Sequence, residues 1–148
     1  MKKLFIVTMA LLFAGYAFGA GTVTQDGAVQ VNTGTRTLTF TCVGDSSNGS
    51  IPDTDTNDDN TAFIKGWRLY DVEVNPGTPA PDAADVLIKN AAGRDFLDSL
   101  GTNLVHATNT QSMGDSMPFF DVVDGVITLD VDNQGTASAQ YTVKMTFK

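Results

Sequence analysis

The clearest alternation of apolar and polar positions lies near the C-terminus. In "GVITLDVDNQGTASAQYTVKMTFK", Ile127, Leu129 and Val131 alternate with Val126, Thr128 and Asp130, and after a turn Tyr141, Val143, Met145 and Phe147 alternate with Thr142, Lys144 and Thr146. A period of two places each apolar set on one face of a strand, so the segment predicts a hairpin or meander with one buried face. "TRTLTFTCV" repeats the pattern, with Leu38, Phe40 and Cys42 on one side and Thr37, Thr39 and Thr41 on the other. Upstream, "GTVTQDGAVQVNTG" has two β-rich runs around Asp26-Gly27, which predicts a two-residue hairpin turn at that dipeptide. In "GWRLYDVEV" the apolar positions change parity between Leu69 and Tyr70, as a bulge or a barrel corner requires. "DVLIKN" is a further short strand.

The segments between are turn-rich. "NPGTPAPDAA" carries three prolines, which remove ladder donors and exclude a central strand. "GDSSNGS" and the stretch after it are polar, and residues 105–118 are irregular and end at Pro118. "GRDFLDSLG" is the one helix candidate, with Phe96, Leu97 and Leu100 on one side and Gly101 placed to end it. About seven short strands at roughly 8–12-residue spacing predict an all-β fold: a single-domain β-sandwich or small barrel of antiparallel strands with at most one short helix.

The first residues break this pattern. Lys2 and Lys3 precede the apolar run "LFIVTMALLFAGYAF", and Ala17 and Gly19 supply small residues at the −3 and −1 positions of a signal-peptidase site. This layout predicts a secretory signal peptide over residues 1–19 and one β domain over 20–148. A membrane anchor is the rival reading, but the run is short of the ~20 residues a spanning helix needs and contains Gly15. Export to the periplasm, the extracellular space or a virion surface is the expected localisation.

Charge narrows the partners. The chain has 17 acidic and 9 basic residues. Every acid except Glu73 is aspartate, the acid of turns and caps, which suits a loop-rich β protein. Such a balance excludes nucleic acid as the expected partner, because phosphate binding needs concentrated positive charge.

The densest cluster of candidate ligands is "SIPDTDTNDDN", residues 50–60. Asp53, Asp55 and Asn57 match ligand positions 1, 3 and 5 of a calcium loop, and Asp59 adds an oxygen donor. Asp58 stands where such a loop needs glycine and Ile64 where it needs a bidentate glutamate. The stretch is therefore expected to be a turn-forming loop whose Asp and Asn side chains bond their own backbone, with calcium as the competing reading and no other cofactor expected. "DVDNQG" at 130–135 also has calcium-like spacing, but it is expected to be a hairpin turn between two strands, with calcium as the lesser alternative. Cys42 is the sole cysteine, expected as an inert buried thiol, with an intermolecular disulfide or a reactive thiol as alternatives. His106 is the sole histidine and has no nucleophile motif around it, so a surface or loop role is expected. One His and one Cys do not make a zinc site. Trp67, Tyr70, Phe119 and Phe120 are read as core residues, with a carbohydrate-binding platform as the alternative.

From Gly66 onward, "GWRLYDVEVNPGTPAPDAADVLIKNAAGRDFLDSLGTNLVHATNTQ" and then "ITLDVDNQG" resemble small β-rich proteins encoded in tailed-phage and prophage genomes. There a strand leads to a "PG…P…D" loop, followed by a "D-V-x-I" strand, a "G-x-D-x-L" turn and a terminal hairpin. The resemblance covers about 80 residues; the leader and the acidic stretch at 53–60 depart from it. It implies a non-enzymatic, virion-associated domain that packs against other copies of itself or against a virion or cell-surface component. Two rival functions remain: a calcium-stabilised adhesion or carbohydrate-binding module, and a secreted hydrolase.

Overall fold

The computed structural model describes residues 20–114 and 122–148; the expected leader, and Pro118, Phe119 and Phe120, lie outside the described residues. Eight strands and one helix follow in the order β1 (Thr22–Gln30), β2 (Thr35–Val43), β3 (Thr54–Asp55), α1 (Asp58–Ile64), β4 (Leu69–Pro76), β5 (Asp85–Asn90), β6 (Gln111–Ser112), β7 (Ile127–Asp132) and β8 (Gln140–Phe147). They form two antiparallel sheets, one of five strands in the order β1-β2-β8-β4-β6 and one of three in the order β3-β7-β5. The fold is all-β and sandwich-like, with a single short helix among the described residues, and the described strands close no barrel.

Period-two patterning sets this arrangement. Leu38, Phe40 and Cys42 on β2, Val72 and Val74 on β4, and Tyr141, Val143, Met145 and Phe147 on β8 are all buried, facing Val86, Ile88, Ile127 and Leu129 of the smaller sheet. The parity change in β4 is a bulge: Leu69 pairs with Phe147 and Asp71 with Thr146, which leaves Tyr70 as the extra residue.

Three local expectations are corrected. First, the turn is not at Asp26-Gly27; β1 runs straight through it, and the chain reverses at 31–34, where Thr33 and Gly34 donate to the Gln30 carbonyl and Gly34 has φ +64°. Gly27 serves a different need, since a Cβ there would sit 3.0 Å from Asn60 Oδ1 and 3.3 Å from the Phe63 ring, both on α1.

Second, "GRDFLDSLG" is not the helix. The Asp95 carboxylate accepts from the amides of Ile88, Leu97 and Ser99, and the Phe96 amide donates to the Ile88 carbonyl. With Asp98 and Ser99 at positive φ, the segment folds as turns that cover the outer edge of β5. Phe96 and Leu97 still reach the core, whereas Leu100 is exposed.

Third, the C-terminal strands form no hairpin. β7 lies in the three-stranded sheet and β8 between β2 and β4 in the other, so the linking turn crosses from one layer to the next. Asp82 accepts from the Gly135 amide and Asp85 from Asn133 Nδ2, which hold that crossing in place.

Candidate functional site

The acidic stretch folds as a capped helix start. Asn57 is extended, with φ −66° and ψ 168°, and its Oδ1 accepts from the Asn60 amide at 2.8 Å. It is the N-cap, and Asp58 and Asp59 occupy the first turn, where carboxylates meet the positive end of the helix dipole. The signal was present in the sequence as an Asn cap, two acids and then "TAFI", but the alternating oxygens suggested ligands instead of a cap.

The four candidate calcium ligands are given separate tasks. Asp55 accepts from Thr128 Oγ1 at 2.6 Å, which ties β3 to β7, while Asn57 caps and Asp59 is exposed on α1. Asp53 instead lies beside the carboxyl groups of Asp130 and Asp132 on β7. Lys89 on β5 supplies the cation there, since its ammonium is ion-paired with Asp130, a carboxylate only 6% exposed. Among the described residues no group of three His, Cys, Asp or Glu side chains is placed to hold a metal ion. Tens of millimolar calcium is expected to raise the melting temperature no more than magnesium does. A calcium-specific rise of more than about 5 °C, lost in an Asp53→Ala/Asp55→Ala double variant, would contradict this.

Asp53 also carries a pH signature. Partial desolvation, followed by the neighbouring Asp130 carboxyl, raises its pKa above the ordinary value of 3.8. The folded protein therefore holds this proton more tightly than the unfolded chain does, and the resulting stability fades as pH rises through the elevated pKa. Asp53→Asn is expected to stabilise the protein at pH 7. The residue is exposed, so screening limits the gain to within about 1 kcal/mol. Thermal melts should show the gain shrinking as pH falls toward 3.8. Asp45 and Glu73 act in the opposite sense: bonds from Ser47 and Asn48 lower the first, and bonds from Asn75 and Lys144 the second, so their stabilisation is lost in acid.

The other candidate groups are engaged in structure. Burial pushes the Cys42 thiol up to about 12, so it is not a thiolate at neutral pH. His106 Nδ1 accepts from the amides of Thr108 and Asn109 at 3.1 and 3.2 Å, closing a turn. The Arg36 guanidinium lies 4.4 Å from the Trp67 ring and 4.8 Å from the Phe63 ring, and it donates to the Phe63 carbonyl. Lys148 Nζ lies 3.3 Å over the Tyr70 ring. A cation thus lies against each of these rings, and the Arg36 contacts bind α1 and the segment before β4 to β2. Gln25, which sequence reasoning passed over, adds to this: its Nε2 donates to the Asp55 carbonyl at 2.6 Å and its Oε1 accepts from Asn57 N and Asn60 Nδ2.

What the fold leaves available is a sheet edge. β3 and β6 are two residues long, and β5 is covered by bridges from Ala84 to Val105 and from Lys89 to Asp95 and by the Gly101 carbonyl, which accepts from the Val86 amide. β1 is nine residues long and ends the larger sheet; among the described residues nothing pairs with its outer side. At its far end Val29 is 58% exposed, and Val31, in the turn that follows, is 86% exposed. Such an edge presents unpaired backbone donors and acceptors beside apolar side chains, the arrangement that accepts another strand. Natural sheets blunt long edges with lysine, proline or bulges; on β1 the only charge is Asp26.

No family model, no curated protein and no solved structure matches the chain. Its function is therefore read from the site.

Proposed function

We propose that the chain is an exported, non-enzymatic structural or interaction protein of phage or prophage origin, acting at a virion or cell surface by packing against another copy of itself or against a virion component. The observation that carries this reading is the open β1 edge with Val29 and Val31 exposed beside it. Strand addition obtains affinity from main-chain hydrogen bonds and specificity from the alternate side chains, so it needs no cleft and no catalytic group. A non-enzymatic role is supported by the way the chemically capable side chains are used: the Cys42 thiol is desolvated, His106 closes a turn, and Lys89 neutralises Asp130. The phage assignment rests on the resemblance from Gly66 onward, and export on the leader pattern.

A photo-cross-linking residue placed at position 31, in the cell that naturally makes the protein, tests the reading. Irradiation should trap one discrete protein neighbour in the exported or particle fraction, with the same probe at Lys144 as the comparison. Equal labelling at the two positions, or no adduct at position 31, would defeat the proposal.

A further inference from the structure

We propose that the open edge of β1 accepts an extended, positively charged segment of a different protein, which adds as a further strand with a lysine or arginine opposite Asp26. This rests on the interaction reading above and names the chemistry of the partner. The side chains of β1 form two rows. Val23, Gln25, Gly27 and Val29 face inward: Val23 packs against the core, Gln25 bonds α1, and Gly27 lies under Asn60 and Phe63. Thr22, Thr24, Asp26, Ala28 and Gln30 face outward, and all five are exposed.

Carboxylates flank this edge on both faces. Gln25 Oε1 accepts from Asn57 N at 3.2 Å and from Asn60 Nδ2 at 3.1 Å, which fixes the first turn of α1 over β1. Asp58 and Asp59 stand between those two residues, and both are exposed. Asp26 follows Gln25 and projects from the other face. Among the described residues none of these three acids is ion-paired. From Ala20 to Thr35 the only ionisable side chain is Asp26. Across the sheet from it, Thr39 pairs in turn with Lys144, two strands away, and that ammonium is held by Glu73. Arg36 is engaged with Phe63 and Trp67.

Charge selects the occupant. The chain carries a formal net charge of −8, so a second copy or any other acidic segment is repelled from this edge, whereas a basic one is drawn to it. Strand geometry sets where the cation goes. β1 is nine residues long and Asp26 is its middle residue. A strand of equal length added in full register, parallel or antiparallel, therefore places its central residue opposite Asp26. Opposite charges attract in such a cross-strand pair and like charges repel. The neighbouring residues of the added strand fall on the inner row, where Gly27 has no side chain and Val29 is exposed, so apolar residues suit them. The segment that fits is extended, with a basic residue between apolar ones.

NMR titration of the full chain with a probe peptide tests the pairing. The probe matches β1 in length, alternates threonine with valine and has lysine at its centre; a second probe has glutamate there. The lysine probe should bind with a Kd of about 1 mM or tighter and shift the amides of β1. It should bind at least about fivefold more tightly than the glutamate probe. In about 1 M salt, where screening acts within about 3 Å, that preference should vanish. Asp26→Lys should reverse it, with the melting temperature as the check that the variant is folded. N-methylation of one alternate set of probe amides should abolish binding, and methylation of the other set should not, because only one side of the probe pairs with β1. No shift with the lysine probe, equal binding of the two probes, or equal effects of the two methylations would overturn the proposal. Such a failure leaves the interaction reading standing if the probe at position 31 traps a neighbour. No adduct at position 31 removes that reading whichever peptide binds.

Discussion

Replacing Phe147 by alanine is expected to cost about 3–5 kcal/mol, the usual cost of emptying a fully buried aromatic site. Phe147 is 0% exposed and sits on the central strand of the larger sheet, with Arg36 of β2 opposite on one side and Leu69 of β4 on the other. Its neighbours in sequence point the other way. Thr146→Ala should change stability by no more than about 0.5 kcal/mol. Lys144→Ala loses the ion pair to Glu73 at 2.9 Å, a half-exposed bridge worth about 0–1 kcal/mol. Denaturant melts of the three variants check the ranking. If Lys144→Ala proved more damaging than Phe147→Ala, the face assignment of β8 would be wrong.

Gly101→Ala should be comparably severe for a different reason. A Cβ at this position would lie 1.8 Å from the Val86 carbonyl oxygen, a backbone atom of β5 that cannot swing aside. The segment that covers β5 must then lift, losing the 2.9 Å bond from the Val86 amide to the Gly101 carbonyl and disturbing Leu97, which is fully buried. A cost of about 3 kcal/mol or more follows from such overpacking against rigid backbone. Gly125→Ala is the matched control, since a Cβ there meets nothing within 4 Å; it should stay within about 0.5 kcal/mol. A Gly101→Ala variant that melts with the wild type would show that the contact is relieved by a small shift of the chain.

How far the fold was legible depended on whether the deciding interaction was local. The strand faces of β2 and β8 and the bulge at Leu69–Asp71 were readable because period two is a property of neighbouring residues. The turn at Asp26-Gly27 was misplaced because the reason for Gly27 is α1, more than thirty residues away. The helix was misplaced by the same kind of competition: Asp95 draws the amides of Leu97 and Ser99 into turns against β5, while Asn57 caps a helix in a stretch that looked like a ligand loop. The 130–135 turn looked like a hairpin because a sequence records that strands follow one another, not which sheet each one joins. The Lys89–Asp130 pair and the open edge of β1 required the sheet order, so no pattern along the chain announced them.

The central place of β8 has a consequence for the order of events when the protein is made. Synthesis proceeds from the N-terminus, and β1 and β2 are neighbours in sequence that zip up as soon as both are present. β2 and β4, however, remain unjoined until the last strand arrives to fit between them, because each pairs with β8 and not with the other. Until then the nascent molecule displays raw margins on β2 and β4 as well as the open edge of β1, and long-range closure of this kind is slow. Premature termination before residue 140 would therefore yield a sticky fragment rather than a smaller folded protein. Any cell that makes this chain must keep it from meeting its siblings until its final eight-residue strand is in place.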